Sequence, residues 1–361
     1  MSKIIMSDMK LPLTPQEVTT AWLNEALRFR YPQVEVKSAK VEDVILGTST
    51  KIRVRLDYAP GRDCGLPPTM IVKGGFEEHS PKMKEMYINE IRSYRDVLPF
   101  ITMNTPFCYY AGSDPGSHQS VVIMEDLKAK GAVFLHPQKP QTYAQVARRL
   151  TAMAKYHAET WNSPRFQPGG GWDYLQGRHE GWSVVYAERY LVPEVWQHYV
   201  DSARGAASST TLHDRDWMSG ALKKLGELHK KYPVVLVHGD THLGNLYEEK
   251  DGTPGFFDMQ HSKGPWFMEV TYHLVGALDM ADRPRYEHAL LDHYLNALKA
   301  NGITDVPDHE EAFECYRREI AYGFFIFIIN EVKFQTEAIN TAYTARFSAA
   351  AVQHDTVRLL S

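Results

Sequence analysis

The first third of the chain carries short apolar runs separated by turn residues. Gly47, the pair Pro60-Gly61 and the pair Pro67-Pro68 interrupt a segment rich in β-branched residues. Turn residues at this spacing are typical of consecutive antiparallel strands. The pattern therefore predicts an antiparallel sheet with strands at residues 34–36, 41–46, 52–58, 70–73, 107–110 and 120–124.

Two helices are predicted beside these strands. Thr14, Pro15 and Glu17 form a start signal for the first, because a capping threonine precedes a first-turn proline and a carboxylate follows three residues after the cap. This helix is expected to run to residue 30. The second lies between residues 81 and 99, where Glu90 interrupts an otherwise apolar stripe. The apolar members of the stripe are Met83, Met86, Tyr87, Tyr94 and Val97.

Beyond Gly131 the apolar residues recur mostly at helical spacing. The Lys- and Gly-rich stretch before it is interpreted as a hinge. The predicted fold class is therefore α+β, with a small antiparallel-sheet lobe at residues 1–126 and a larger, mainly helical lobe at residues 127–361. Its helices are expected at residues 143–161, 181–199, 214–231, 267–279, 284–301 and 309–337.

Length and charge narrow the classes of function. The 361 residues correspond to about two domains or one bilobal unit. Lys and Arg total 40 against 44 Asp and Glu, which gives a net charge of -4. Binding to a phosphate backbone needs a strongly basic surface, so no nucleic acid partner is expected.

Cysteine usage and hydropathy predict a cytoplasmic protein without membrane spans. Cys64, Cys108 and Cys315 are far apart and odd in number, which favours buried free thiols over a disulfide framework. Residues 1–10 contain no apolar segment of the kind a signal peptide needs. The longest apolar run, residues 322–329, is much shorter than the ~20 residues that cross a bilayer, and it predicts a buried core helix.

A polar cluster follows an apolar strand predicted at residues 233–237. It contains Asp240 and, five positions later, Asn245. The Asp-Gly pair at residues 251–252 is a strong hairpin signal, and the second arm of this hairpin ends at Asp258. Because a hairpin returns its far end to its near end, Asp258 is expected beside Asn245.

These three side chains suit metal-assisted chemistry. Mg²⁺ prefers oxygen ligands, and Asn245 and Asp258 would supply an amide and a carboxylate oxygen beside bound phosphates. Asp240 would lie in front of that metal, where it could accept the proton of an attacking hydroxyl. The protein-kinase catalytic loop has the same spacing of Asp, Asn and a second Asp after a hairpin.

The motif His238-Gly239-Asp240-x-His242-x-x-Asn245, followed by Phe257-Asp258, resembles the signature of the aminoglycoside phosphotransferase and choline kinase superfamily. The run at residues 237–279, with Gly264-Pro265-Trp266, is most similar to its ecdysteroid kinase-like branch, and the likeness extends from about residue 34 onward. The resemblance implies a bilobal protein-kinase-like fold that binds ATP and Mg²⁺ in the cleft and phosphorylates a hydroxyl of a small molecule.

The resemblance also implies residues that bind the nucleotide. In the family a strand lysine contacts the α- and β-phosphates and a helix glutamate holds it, and Lys73 and Glu90 fit these roles. The apolar stripe is an independent reason for Glu90, because a buried carboxylate is costly unless a cation meets it.

A phosphate-covering loop and a hinge complete the implied nucleotide site. The loop is expected at Gly47, Thr48, Ser49 and Thr50, and the hinge at Glu125 to Leu127. The loop has one glycine where the protein-kinase loop has three. Its hydroxyl groups are therefore expected to replace some of the backbone contacts to phosphate.

Two other functions fit parts of the pattern. His238, Asp240, His242 and His261 would suit a metal-dependent hydrolase with zinc or iron. Gly239 argues against this alternative, because four-residue spacing brings two histidines to one face only in a helix. A nucleotide-binding module without transfer activity is the third hypothesis, and the complete set of kinase-like residues argues against it.

The acceptor is the least defined part of the prediction. The aromatic-rich stretch at residues 172–199 either packs in the core or lines an acceptor pocket. Its few acids do not form the dense anionic wall that a polycationic aminoglycoside would favour, so a small apolar or ring-containing alcohol is expected. The sequence leaves open the acceptor's identity, the choice between ATP and GTP, and the oligomeric state.

Overall fold

The first part of the molecule is built on a five-stranded antiparallel sheet. The computed structural model describes residues 9–139 and 141–361, so most of the segment used for the signal-peptide expectation lies outside the described residues. The predicted runs at 34–36 and 41–46 form one continuous strand. The strands are β1 (Val36–Ile45), β2 (Thr50–Tyr58), β3 (Thr69–Gly74), β4 (Cys108–Asp114) and β5 (Gln119–Glu125). Their order in the sheet is β1-β2-β3-β5-β4.

The first helix, α1 (Thr20–Arg28), begins later than the sequence predicted. Thr14 makes no side-chain cap, and Pro15–Glu17 forms only a short 3-10 turn. The hydroxyl of Thr19 accepts a hydrogen bond from the backbone N–H of Trp22 at 3.2 Å. This bond satisfies one of the unpaired donors at a helix start, and the helix therefore begins at the second threonine rather than the first.

Helix α2 (Lys84–Arg92) packs against β5 and continues as a wider π-helical turn at Ser93–Val97. Glu90 lies on its inward face and is only 4% exposed. The prediction of a carboxylate in an apolar helical stripe is confirmed. Burial of that charge requires a nearby cation, which the adjoining sheet supplies.

Helices dominate the second part of the chain. Helix α9 (Phe267–Ala277) is buried along its whole length, and α11 (His309–Ile329) packs against it and against α12 (Glu337–Gln353). The apolar run at 322–329 lies within α11 as a core segment, as predicted. The helices are α3 (Leu127–Lys130), α4 (Tyr143–Glu159), α5 (Gly181–Tyr190), α6 (Pro193–Val200), α7 (Ala203–Ala206), α8 (Arg215–His229), α9 (Phe267–Ala277), α10 (Asp282–Ala300), α11 (His309–Ile329), α12 (Glu337–Gln353) and α13 (Thr356–Leu359).

Two helix predictions were wrong. The helix expected at 181–199 is two helices, because Pro193 has no N–H to continue the first one and instead starts α6. The helix expected at 309–337 ends at Ile329, where Asn330 becomes extended. Helix α12 was missed, since its alanine-rich sequence has only a weak apolar periodicity.

Short strands carry the polar loops of the second part. Strand β7 (Val235–Val237) pairs with β10 (Ser262–Gly264). Strand β8 (Leu246–Glu248) pairs with β6 (Val133–Phe134) on one side and with β9 (Pro254–Phe256) on the other. The mixed architecture confirms the α+β fold class. The boundary between residues 126 and 127 stays a prediction.

The described residues also bear on the thiols and on membranes. The three cysteines are unpaired, but Cys64 is exposed, so the expectation that all are buried was wrong. It lies in the turn between β2 and β3. Across residues 9–139 and 141–361, no helix has both the length and the apolar composition that a bilayer crossing requires.

Candidate functional site

A cavity of about 1390 Å³ opens where the sheet of the first part faces the polar loops of the second. Most of the side chains singled out from the sequence line it. From the first part these are Gly47, Thr48, Ser49, Lys73 and Glu90, and from the second part Asp240, Asn245 and Asp258. Residues nearly 200 positions apart therefore meet in one space.

The hairpin β8–β9 brings Asn245 and Asp258 to the same end of a small sheet. Leu246 pairs with Phe256, and the N–H of Phe257 donates to the carbonyl of Asn245 at 3.0 Å. The predicted return of the chain is present. Asp258 itself adopts a left-handed backbone conformation with φ of 59°, an uncommon state for a residue with a side chain. Such strain is often found where a side chain must be aimed at a functional site.

Asp240 is held in place by two side chains and remains accessible. The amide of Asn245 donates to Asp240 Oδ2 at 2.9 Å, and the hydroxyl of Tyr272 donates to Oδ1 at 2.9 Å. Burial and the neighbouring carboxylate raise the pKa of Tyr272 well above its ordinary value, so the phenol stays a donor. The Asp240 side chain is 36% exposed toward the cavity. It is thus an oriented carboxylate with room for a further donor.

His238 connects the loop that carries Asp240 to the segment that precedes Asp258. Its ring is buried, with Nδ1 accepting from the N–H of Asp240 at 3.2 Å and Nε2 donating to the carbonyl of Phe257 at 3.0 Å. Burial lowers the pKa of His238, which favours the neutral ring that both bonds require. These two contacts brace the loop that carries Asp240.

The remaining histidines do not form a metal centre with it. His242 Nδ1 accepts from the N–H of Gly244 at 3.0 Å, and its Nε2 lies 3.5 Å from Asp240 Oδ2. His261 is buried, and neither of its ring nitrogens has a hydrogen-bond partner among residues 9–139 and 141–361. Within the described part of the chain, no three His, Cys, Asp or Glu side chains are grouped so that they could hold a metal ion. The hydrolase alternative is therefore not favoured.

A buried cluster of charges links the first part to Asp258. Lys73 Nζ contacts Glu90 Oε1 at 2.6 Å and also contacts Asp258 Oδ1. Lys51 Nζ lies 3.3 Å from the other oxygen of Asp258. The side chains of Lys73 and Glu90 are 4% and 6% exposed, whereas those of Lys51 and Asp258 are 28% and 24% exposed.

The pKa shifts in this cluster follow from burial and charge. Burial opposes the charged form of Lys73, but Asp258 and Glu90 outweigh it and raise the pKa of the lysine. Burial likewise opposes the charge of Asp258, and Lys51 and Lys73 outweigh it and hold the pKa of that carboxyl below its ordinary value. Burial raises the pKa of Glu90 while Lys73 resists the rise. Each charge thus depends on its neighbours, as expected for buried ions.

The loop between β1 and β2 is held by two side chains that contact the backbone carbonyl of Thr48. The hydroxyl of Tyr87 donates to the carbonyl of Thr48 at 2.5 Å, and His79 Nε2 lies 3.1 Å from the same oxygen. Ser49 is buried and Gly47 lines the cavity. The two contacts hold the Thr48 carbonyl against α2 and thereby limit the loop's movement over the cavity.

The predicted hinge residues Glu125 and Leu127 are not among those that line the cavity. Glu125 ends β5 beside Phe107, and Lys130 lies 3.5 Å from its carboxylate. Leu127 is 5% exposed and begins α3. Their contact with a nucleotide stays a prediction.

The aromatic-rich stretch at 172–199 is divided between the core and the cavity wall, and its role toward an acceptor stays a prediction. Trp172, Tyr190 and Trp196 are buried in the core. Trp182 and Tyr186 line the cavity, stacked with 5.0 Å between ring centroids. The far end of the cavity therefore has an aromatic wall on α5.

Sequence reasoning missed Lys51 and Tyr272. Lys51 faces Lys73 directly across β2 and β3, so a correct strand register would have placed both lysines together. Tyr272 lies in the buried helix α9, where an aromatic residue gives no signal that its hydroxyl reaches Asp240.

Two solved structures are similar to this chain in fold. Plasmodium vivax ethanolamine kinase is similar, with 12% identity and a TM-score of 0.52 over 86% of this chain and 81% of that chain. A Ralstonia eutropha protein classed with the aminoglycoside phosphotransferases is similar, with 14% identity and a TM-score of 0.51 over 93% of this chain and 97% of that chain. Both have the kinase-like fold.

Residues 48–164 match the model of the ecdysteroid kinase-like family. No curated protein matches the chain. The expected resemblance to the ecdysteroid kinase-like family is confirmed over residues 48–164, and the two solved structures share the expected kinase-like fold.

Gly239→Ala tests how rigidly the loop after β7 is built. Gly239 has φ of 91°, and an added Cβ would collide with the carbonyl of Gln260. We expect a loss of at least about 2 kcal/mol in stability, measured as a lower midpoint of thermal unfolding. The control is Gly220→Ala in α8, where a Cβ meets nothing within 4 Å. It should leave the midpoint unchanged or raise it, and an equal drop in both variants would contradict the account.

Proposed function

We propose that this protein transfers the terminal phosphoryl group of ATP to a hydroxyl of a small molecule in a magnesium-dependent reaction. The observation that carries the proposal is the convergence of Lys73, Asp240, Asn245 and Asp258 on one cavity. The ecdysteroid kinase-like match and the fold of the two similar structures, an ethanolamine kinase and an aminoglycoside phosphotransferase-class protein, add support.

The side chains present fit a magnesium nucleotide. Asn245 turns its amide N–H toward Asp240, and its Oδ1 has no hydrogen-bond partner among the described residues. Asp258 offers the second oxygen ligand. Proteins commonly bind Mg²⁺ in this way, through one or two protein oxygens together with phosphate oxygens. When bound, the ion would neutralise the charge that develops on the transferred group.

Lys73 would contact the phosphates, and Glu90 would hold it there. The 2.6 Å contact between them keeps the ammonium at the cavity wall instead of letting it swing into solvent. The hydroxyl groups of Thr48 and Ser49 stand on the loop above, where they would face the phosphates. This arrangement supplies the positive charge and hydrogen-bond donors that a triphosphate needs.

Asp240 would act on the acceptor. Its carboxylate orients the acceptor hydroxyl and takes its proton as the new oxygen–phosphorus bond forms. The bond from the terminal phosphorus to the bridging oxygen breaks, and that oxygen leaves with the nucleoside diphosphate. The transition state is loose, so the rate comes mainly from alignment and charge neutralisation. Asn245 and Tyr272 fix the carboxylate so that little reorganisation is needed.

The aromatic residues of the cavity wall indicate which kind of acceptor the cavity could hold. Trp182, Tyr186, Tyr322 and Phe327 line the cavity beyond Asp240. Arg178 also lines this part of the cavity, and its guanidinium is already paired with Glu319 at 2.8 Å. A wall of this kind favours a neutral alcohol with an apolar or ring-shaped body.

Asp240→Asn should separate chemistry from binding. Removal of the proton acceptor is expected to lower kcat by about 10² to 10⁴-fold. Affinity for ADP and magnesium, measured by calorimetry, should stay near that of the parent protein. Asp216→Asn, at an exposed position outside the cavity, is the matched control and should retain full activity.

The assay follows ADP release with a panel of hydroxylated metabolites, sterols and antibiotics. Acceptor-dependent release by the parent protein supports transfer activity. Nucleotide binding without any such release would instead favour a binding module. An active Asp240→Asn variant would remove Asp240 from the mechanism.

Metal removal gives a second prediction. Chelation with EDTA should abolish turnover, and Mg²⁺ should restore it. Asp258→Asn should raise the Mg²⁺ concentration for half-maximal rate by at least about 10-fold, since even loss of an outer contact to a metal ligand has effects of that size. Unchanged magnesium dependence in the variant would contradict the assignment of Asp258.

A further inference from the structure

Lys51 is a cavity residue that the proposed mechanism does not use. It lies on β2, just after the loop at Gly47–Ser49, and is the cross-strand neighbour of Lys73. The two lysines contact different oxygens of the same carboxylate, that of Asp258. Both oxygens of a proposed metal ligand are therefore paired with ammonium groups.

The charges of the four side chains in this cluster sum to zero, so the site is neutral only when no metal ion is bound. Lys51 and Lys73 carry two positive charges, and Glu90 and Asp258 carry two negative ones. A divalent cation at Asp258 would be placed beside both ammonium groups, where repulsion is only weakly screened. Negative charge from phosphates would remove this conflict.

Lys51 is the lysine that is free to change partner. Lys73 is 4% exposed and is anchored by Glu90, whereas Lys51 is 28% exposed and its ion-pair partner in the described structure is Asp258. The next two cations on the same strand face are committed elsewhere, since Arg53 pairs with Asp126 and Arg55 with Glu42.

We propose that Lys51 is a second phosphate-binding residue. When the metal binds, the ammonium group of Lys51 moves from the carboxylate of Asp258 to the nucleotide phosphates. Without nucleotide it occupies Asp258 and disfavours binding of a bare divalent cation. This inference rests on the proposed function, because it requires a nucleotide in this cavity. The phosphates would thus contact two lysines, Lys51 on β2 and Lys73 on β3. Binding of the metal would then depend on binding of the nucleotide.

Calorimetry of ADP and ATP binding with Mg²⁺ tests the phosphate contact. Lys51→Met should weaken ATP binding by about 10- to 100-fold, the effect of losing a hydrogen bond from a charged group. Lys51→Arg keeps the charge and should recover most of the affinity. Arg55→Met is the matched control: it removes one positive charge from the same strand face outside the cavity and should bind as the parent does.

Mn²⁺ binding without nucleotide, followed by electron paramagnetic resonance, tests whether Lys51 disfavours binding of the bare ion. Lys51→Met should bind the bare ion more tightly than the parent protein, and Arg55→Met should not. Thermal unfolding shows that each variant is folded.

The outcomes separate the two hypotheses. A Lys51→Met variant that binds ATP and Mn²⁺ as the parent does would reduce Lys51 to a structural ion pair and overturn the inference alone. A parent protein that binds neither ADP nor ATP would overturn the proposed function and this inference with it.

Discussion

The ion-pair cluster around Lys73 is the constraint on which the site depends. The lysine is buried between Glu90 on α2 and Asp258 after β9, so three separate segments of the chain must meet for any of these charges to be tolerated. An unpaired ion in such a place costs several kcal/mol, which makes partial assembly unfavourable. The relative position of the two parts of the molecule is thus coupled to the position of a single carboxylate.

A chain of hydrogen bonds extends this constraint to the proposed catalytic loop. His238 bonds to both the N–H of Asp240 and the carbonyl of Phe257, the residue before Asp258. Asn245 in turn donates to the Asp240 carboxylate. The proposed base and metal ligands therefore belong to one frame, and a shift of one would move the others. Pre-organisation of this kind is what a reaction governed by alignment and charge requires.

Local patterns predicted the parts of this frame that local sequence determines. The Asp-Gly turn indicated the hairpin that brings Asn245 and Asp258 together, and a carboxylate in an apolar stripe indicated the burial of Glu90. Lys51 escaped notice because its role depends on strand register, which alternation alone does not fix. The hydroxyl of Tyr272 escaped because a tyrosine in a buried helix looks like any other core residue. Helix ends were misplaced where Pro193 or a competing cap outweighed periodicity.

The most direct test is a crystal structure with a non-hydrolysable ATP analogue and Mn²⁺, with the ion located by its anomalous scattering. We expect a peak within about 2.5 Å of side-chain oxygens of Asn245 and Asp258 and of phosphate oxygens, the range of oxygen–cation bonds. A peak bound instead by His238, His242 or His261, or a nucleotide outside this cavity, would contradict it.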